Sequence, residues 1–101
     1  MIELASFRVV NNYAHNSLHW EFTADTEIPN GTTLKIYRSL SSGTDGSLDD
    51  YTIVASGQSP YTDYLDTTVT KINDRVWFYK LQTSNGTLLT SRPAFVKSTP
   101  R

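Results

Sequence analysis

Two histidines, His15 and His19, and the carboxylates of Asp45, Asp49 and Asp50 are the side chains most able to carry acid, base or metal chemistry in this sequence. His19 and Glu21 stand two apart, so on an extended strand they share a face and could offer two ligands to one metal ion. A third ligand has to come from elsewhere, and the pair is expected to be a solvated strand face instead. The stretch Asp45-Gly46-Ser47-Leu48-Asp49-Asp50 offers hard oxygens of the kind calcium takes. It lacks the spaced aspartates and closing glutamate of a calcium loop, so a plain solvated loop is expected. Asn30-Gly31-Thr32 and Asn85-Gly86-Thr87 match the glycosylation sequon, but both are read first as turns. The chain has no cysteine, no Gly-x-Ser-x-Gly and no phosphate-cradling glycine loop. It is therefore expected to be non-enzymatic, with no cofactor and no metal.

The elements that hold these residues are strands. No window sustains apolar residues at i, i+3, i+4 and i+7, whereas β-branched and aromatic residues come in short alternating runs. Seven runs are read, at roughly 5–10, 17–24, 33–39, 51–56, 61–69, 75–83 and 87–96, a pattern that points to a sandwich. The clearest alternation puts Leu18, Trp20, Phe22 and Ala24 on one face, with His19, Glu21 and Thr23 between them. Leu34 and Ile36, then Trp77, Tyr79 and Leu81, continue the expected core. Each such burial is worth about 1.5–3 kcal/mol, and with no cysteine there is no disulfide to add to it. Asn85-Gly86 is expected to close a type I′ hairpin between the last two runs. Ser39 to Asp50 is expected to be an exposed loop.

At 101 residues the chain is expected to be a single domain, 1–101. Its 9 basic and 10 acidic residues give a net charge of -1 without a block of like charge, which argues against nucleic acid and anionic membrane as partners. Neither a signal peptide nor an apolar stretch of roughly 18 residues is present, so a protein made and kept in a cytoplasm is expected.

Leu34-Lys35-Ile36-Tyr37-Arg38-Ser39, a Gly/Ser loop and Tyr51-Thr52-Ile53-Val54-Ala55 resemble the middle of bacterial and phage fibronectin type III modules. Tyr64-Leu65-Asp66-Thr67-Thr68-Val69 and Trp77-Phe78-Tyr79-Lys80-Leu81-Gln82-Thr83-Ser84-Asn85-Gly86 are similar to that family's later strands and turn, and Trp20 fits its buried tryptophan. The likeness covers about residues 17–92. Two positions depart from it: Asn73-Asp74 stand near an expected glycine, and Trp77 stands where the family has the tyrosine of its tyrosine corner. The resemblance implies an all-β, seven-stranded antiparallel β-sandwich of the fibronectin type III or immunoglobulin-like kind.

It also makes the third and sixth strands neighbours in one sheet. Alternation then drives Tyr37, Val76 and Phe78 to the outer face, interleaved with Lys35 and Lys80. Such a patch is either a partner-binding face or a set of cross-strand pairs that only stabilise the sheet. Single modules of this family imply a structural part of a bacteriophage virion: a capsid decoration, head fibre or tail component. Its expected partners are other structural proteins of that assembly. The other expectation is a carbohydrate- or cell-surface-binding module that meets a glycan through Tyr51, Tyr61 and Tyr64. The tail Lys97-Ser98-Thr99-Pro100-Arg101 is expected to end the last strand with proline and charge.

Overall fold

Seven strands form within or close to the alternating runs, the fifth much shorter than its expected run of 61–69: β1 (Leu4–Asn11), β2 (Asn16–Phe22), β3 (Leu34–Ser39), β4 (Thr52–Gln58), β5 (Tyr64–Asp66), β6 (Val76–Thr83) and β7 (Ala94–Lys97). The computed structural model describes residues 2–12, 15–69 and 75–97. The expectations for Asn73-Asp74 and for residues 98–101 of the tail lie outside them. Every strand pairing is antiparallel, in two sheets ordered β1-β2-β5 and β4-β3-β6-β7. This is the all-β sandwich that the seven runs implied.

Between the sheets lie Leu18, Trp20, Leu34, Ile36, Val69, Trp77, Tyr79 and Leu81. Trp20 packs edge-on against Phe7 at 6.4 Å, and its indole N–H donates to the Pro60 carbonyl at 3.0 Å. Ala24 was expected in this core and is exposed. Strand β2 ends at Phe22, where the Thr23 amide turns to the Glu3 carbonyl, so the alternation stops two residues early.

A polar clasp crosses the core. Asp66 on β5 is fully buried and accepts from Arg38 Nη1 on β3 at 2.7 Å, from the Tyr79 hydroxyl on β6 at 2.6 Å, and from the Thr68 amide and hydroxyl. Tyr79 in turn accepts from Asn16 Nδ2 on β2. Burial alone would push the Asp66 carboxyl up, but the hydrogen bonds from Tyr79, Thr68 and Arg38 outweigh it and hold it below its ordinary value. Tyr79 is pushed well up, first by burial and then by its bond to Asp66. The clasp ties the two sheets together through paired charge and satisfied polar groups, the one form in which such groups tolerate burial.

Three turns show how local chemistry sets the connections. Gly31, at φ +85°, takes the third position of the Pro29–Thr32 turn, closed by the Thr32 amide on the Pro29 carbonyl. At Asn85-Gly86 only Gly86 has positive φ, so the turn is not type I′. The Gly86 amide bonds the Thr83 carbonyl and the Thr83 amide bonds the Thr87 carbonyl, a three-residue turn with a glycine bulge. Strand β7 starts late, at Ala94, because the Thr90 hydroxyl accepts the Leu81 amide and Pro93 has no amide to give. Between turn and strand only the isolated Gln82–Leu88 bridge keeps the pairing.

Candidate functional site: the outer face of the four-stranded sheet

The register of β3 and β6 sets Tyr37 opposite Lys80, Lys35 opposite Gln82 and Ser39 opposite Phe78. Lys35, Tyr37, Val76, Phe78 and Lys80 therefore share the outer face, as alternation required. They do not share a surface. Lys35, Tyr37, Val76 and Phe78 are half-buried, and Lys80 is completely buried. Its ammonium donates to the Thr44 carbonyl at 3.0 Å and the Ser47 carbonyl at 2.7 Å, and lies 4.9 Å from the centre of the Tyr51 ring.

This corrects two expectations at once. The loop from Leu40 to Tyr51 is exposed over most of its length, as expected, but it does not run free. It folds back over the sheet, pinned by Lys80 and joined to the approach of β7 by the Gly46 amide on the Ser91 carbonyl and by the exposed Asp45–Arg92 pair at 3.3 Å. Short serine bonds shape it: Ser39 Oγ accepts the Ser41 amide, Ser41 Oγ the Gly43 amide and Ser47 Oγ the Asp49 amide. Lys80 leaves the candidate patch because the loop supplies the carbonyls a buried ammonium needs. Tyr51 leaves the set of free aromatics: it is half-buried, its hydroxyl donates to the Ser42 carbonyl, and burial pushes its pKa up to about 12.

The most exposed aromatic of the face, on its edge strand, is a residue that sequence reasoning passed over. Phe95 on β7 stands opposite Phe78, their ring centres 5.9 Å apart, and is 65% exposed. The signal was available, since Val96 opposite Trp77 points inward and Phe95 must then point out. Reading β3 and β6 without β7 missed it. Ile53 on β4, opposite Tyr37, is also exposed, and Lys97 opposite Val76 adds a charge at the rim. Tyr37 itself is anchored through a hydroxyl bond to Gln82 Oε1 at 2.9 Å.

The other candidates resolve as follows. His19 Nδ1 lies 2.8 Å from Asp63 Oδ2, while Glu21 is exposed beside it. Among the described residues no three His, Asp or Glu side chains gather in a way that could hold a metal ion. Trp77 does not replace the corner tyrosine: its indole N–H is buried with no acceptor, and its ring lies under the guanidinium groups of Arg38 at 4.8 Å and Arg75 at 5.7 Å. Tyr64 is half-buried, whereas Tyr61 is 75% exposed. No helix is long and apolar enough to cross a membrane among the described residues.

No family model matches the chain, and no curated protein matches it in sequence. Among solved structures, it is similar to the crystal structure of the pectate lyase Pel3 from Pectobacterium carotovorum, with a TM-score of 0.64 and 20% identity. The match covers 93% of this chain and 26% of that one, so the chain spans about a quarter of the length of its structural neighbour. What the likeness establishes is the fold: a two-sheet, all-β sandwich.

Proposed function

We propose that the protein is a non-enzymatic interaction module of the fibronectin type III kind, which docks on a larger assembly through the outer face of its four-stranded sheet. The observation that carries this reading is the Phe78–Phe95 pair, because an aromatic of which 65% stays in water stabilises its own fold little and a partner's surface a great deal. Val76 on β6 extends the apolar area, and Lys97 opposite it gives a charged edge. The partner is a structural protein of a bacteriophage virion, and the module serves as capsid decoration, head fibre or tail component. That step rests on the sequence resemblance.

Quantitative mass spectrometry of purified particles against particle-free lysate tests it. Enrichment at a fixed ratio to the major shell or tail protein, lost in Phe95→Ser, supports the reading. A chain confined to the particle-free lysate sinks the virion assignment.

A second reading is favoured by a different observation. Tyr61 stands 75% exposed at the opposite edge, and the sandwich is similar to a segment of an enzyme named a pectate lyase. A cell-surface or glycan-binding module accounts for both, and it predicts saccharide binding by the isolated chain.

A further inference from the structure

At the end of the sandwich where β3 runs into its loop and β4 begins, an open cleft of about 530 Å³ is lined by Arg38, Ser39, Leu40, Ser41, Asp50, Thr52 and Trp77. The volume lies within the range of small-ligand pockets. Its groups are placed in advance. Arg38 is fixed by two 2.7 Å bonds from Nη1, to Asp66 and Thr68, and by stacking on Trp77. Its Nε and Nη2 hydrogens bond no described residue. Ser39 and Ser41 each use an oxygen to accept a loop amide, which leaves their hydroxyl hydrogens free to donate. Asp50 is the one non-glycine residue at positive φ, +70°, among the described residues, and its carboxylate is exposed. A backbone held in that region is a feature that concentrates at ligand clamps.

The charges select the ligand class. Among the lining residues, Arg38 is met by buried Asp66 and the remaining charged group is the acid Asp50, so the lining has no surplus positive charge to favour a phosphate or carboxylate. It offers instead a fan of donors, one carboxylate acceptor and the exposed apolar side chain of Leu40. A ring with neighbouring hydroxyls uses all three: its oxygens accept from Arg38 and the serines, its hydroxyl hydrogens go to Asp50, and its C–H face lies on Leu40. We propose that this cleft binds a neutral hexose unit of a glycan, an inference that rests on the saccharide reading and moves its site from the tyrosines to Arg38 and Asp50.

The test is titration of the isotope-labelled full chain with galactose, glucose, galacturonate and inorganic phosphate, followed by backbone, indole and arginine Nε resonances. Galactose or glucose is expected to shift Arg38 Nε–H, the Trp77 indole N–H and the Leu40 and Asp50 amides. Asp50→Asn should bind about tenfold more weakly, the loss of a hydrogen bond to a charged acceptor, with its melting curve unchanged. Leu40→Ser should weaken binding in the same direction, and Tyr61→Ser should leave it alone. Shifts with galacturonate and phosphate only would overturn the neutral-ligand assignment. Neutral sugars that perturb residues around Tyr61 would refute the cleft while keeping the saccharide reading, and silence from every sugar would remove both.

Discussion

On the outer face of the three-stranded sheet, Arg8 stands opposite His19, which pairs with Asp63, and Glu21 lies exposed beyond them. Exposed Val10 and Leu65 flank Ser17 there and are kept apart by it. On the outer face of the four-stranded sheet, two phenylalanines meet directly across the β6–β7 ladder. Both faces obey the same two-residue alternation, so the fold alone does not require one of them to be aromatic. The difference lies in arrangement and not in period: the first face spreads its apolar groups among polar ones, and the second gathers two aromatics at its edge.

The clasp beneath both faces gives the largest expected effect. Asp66→Asn removes a fully buried carboxylate from half-buried Arg38, and urea denaturation should show a loss of about 3–5 kcal/mol. A loss much below that would mean that the sheets are held by apolar packing alone and the faces are independent of the clasp. The same residue sets an acid limit. Its folded pKa is depressed, so its stabilisation is fully present above its ordinary value of 3.8 and is lost as pH falls from there through the folded value. Denaturation midpoints of the native protein should fall over that acid range, and those of Asp66→Asn should fall less.

Lys80→Met comes next, at about 1–3 kcal/mol, because it strands the Thr44 and Ser47 carbonyls against the sheet. Faster hydrogen exchange at the Gly46 amide would show the loop lifting from the four-stranded face. Unchanged exchange would mean that the Ser91 bond holds the loop by itself. On the polar face, His19→Gln should cost under about 1 kcal/mol, since both members of the His19–Asp63 pair are in contact with solvent. The smallest change in stability belongs to Phe95→Ser, within about 0.5 kcal/mol, although it should abolish docking. A large destabilisation by Phe95→Ser would reverse the comparison and make the aromatic pair a cross-strand support of the sheet.

Much of this was legible in the residues. The 2-residue period of Leu18 and Trp20, of Leu34 and Ile36, and of Trp77, Tyr79 and Leu81 marked strands and core, because burial of one sheet face leaves no other way to place those side chains. The period also assigned Lys35, Tyr37, Val76, Phe78 and Lys80 to one side of the sheet. It could not tell which of them meets water. That depended on where Leu40 to Tyr51 goes, and a polar, serine-rich loop looks the same in sequence whether it is solvated or folded onto a sheet. Strand limits failed where a side chain took a backbone role, as at Thr90 for β7, where the hydroxyl accepts a ladder amide.

The sequence by itself determined the strand count, the core side of β2, β3 and β6 and the absence of cysteine cross-links, since these follow from periodicity and composition. Only the tertiary structure decided that Lys80 is a buried anchor, that Phe95 is the exposed aromatic at the edge of the outer face, and that Asp66 joins Arg38, Tyr79 and Thr68. Each of these outcomes depends on which distant segment arrives beside a residue, and local spacing carries no record of that.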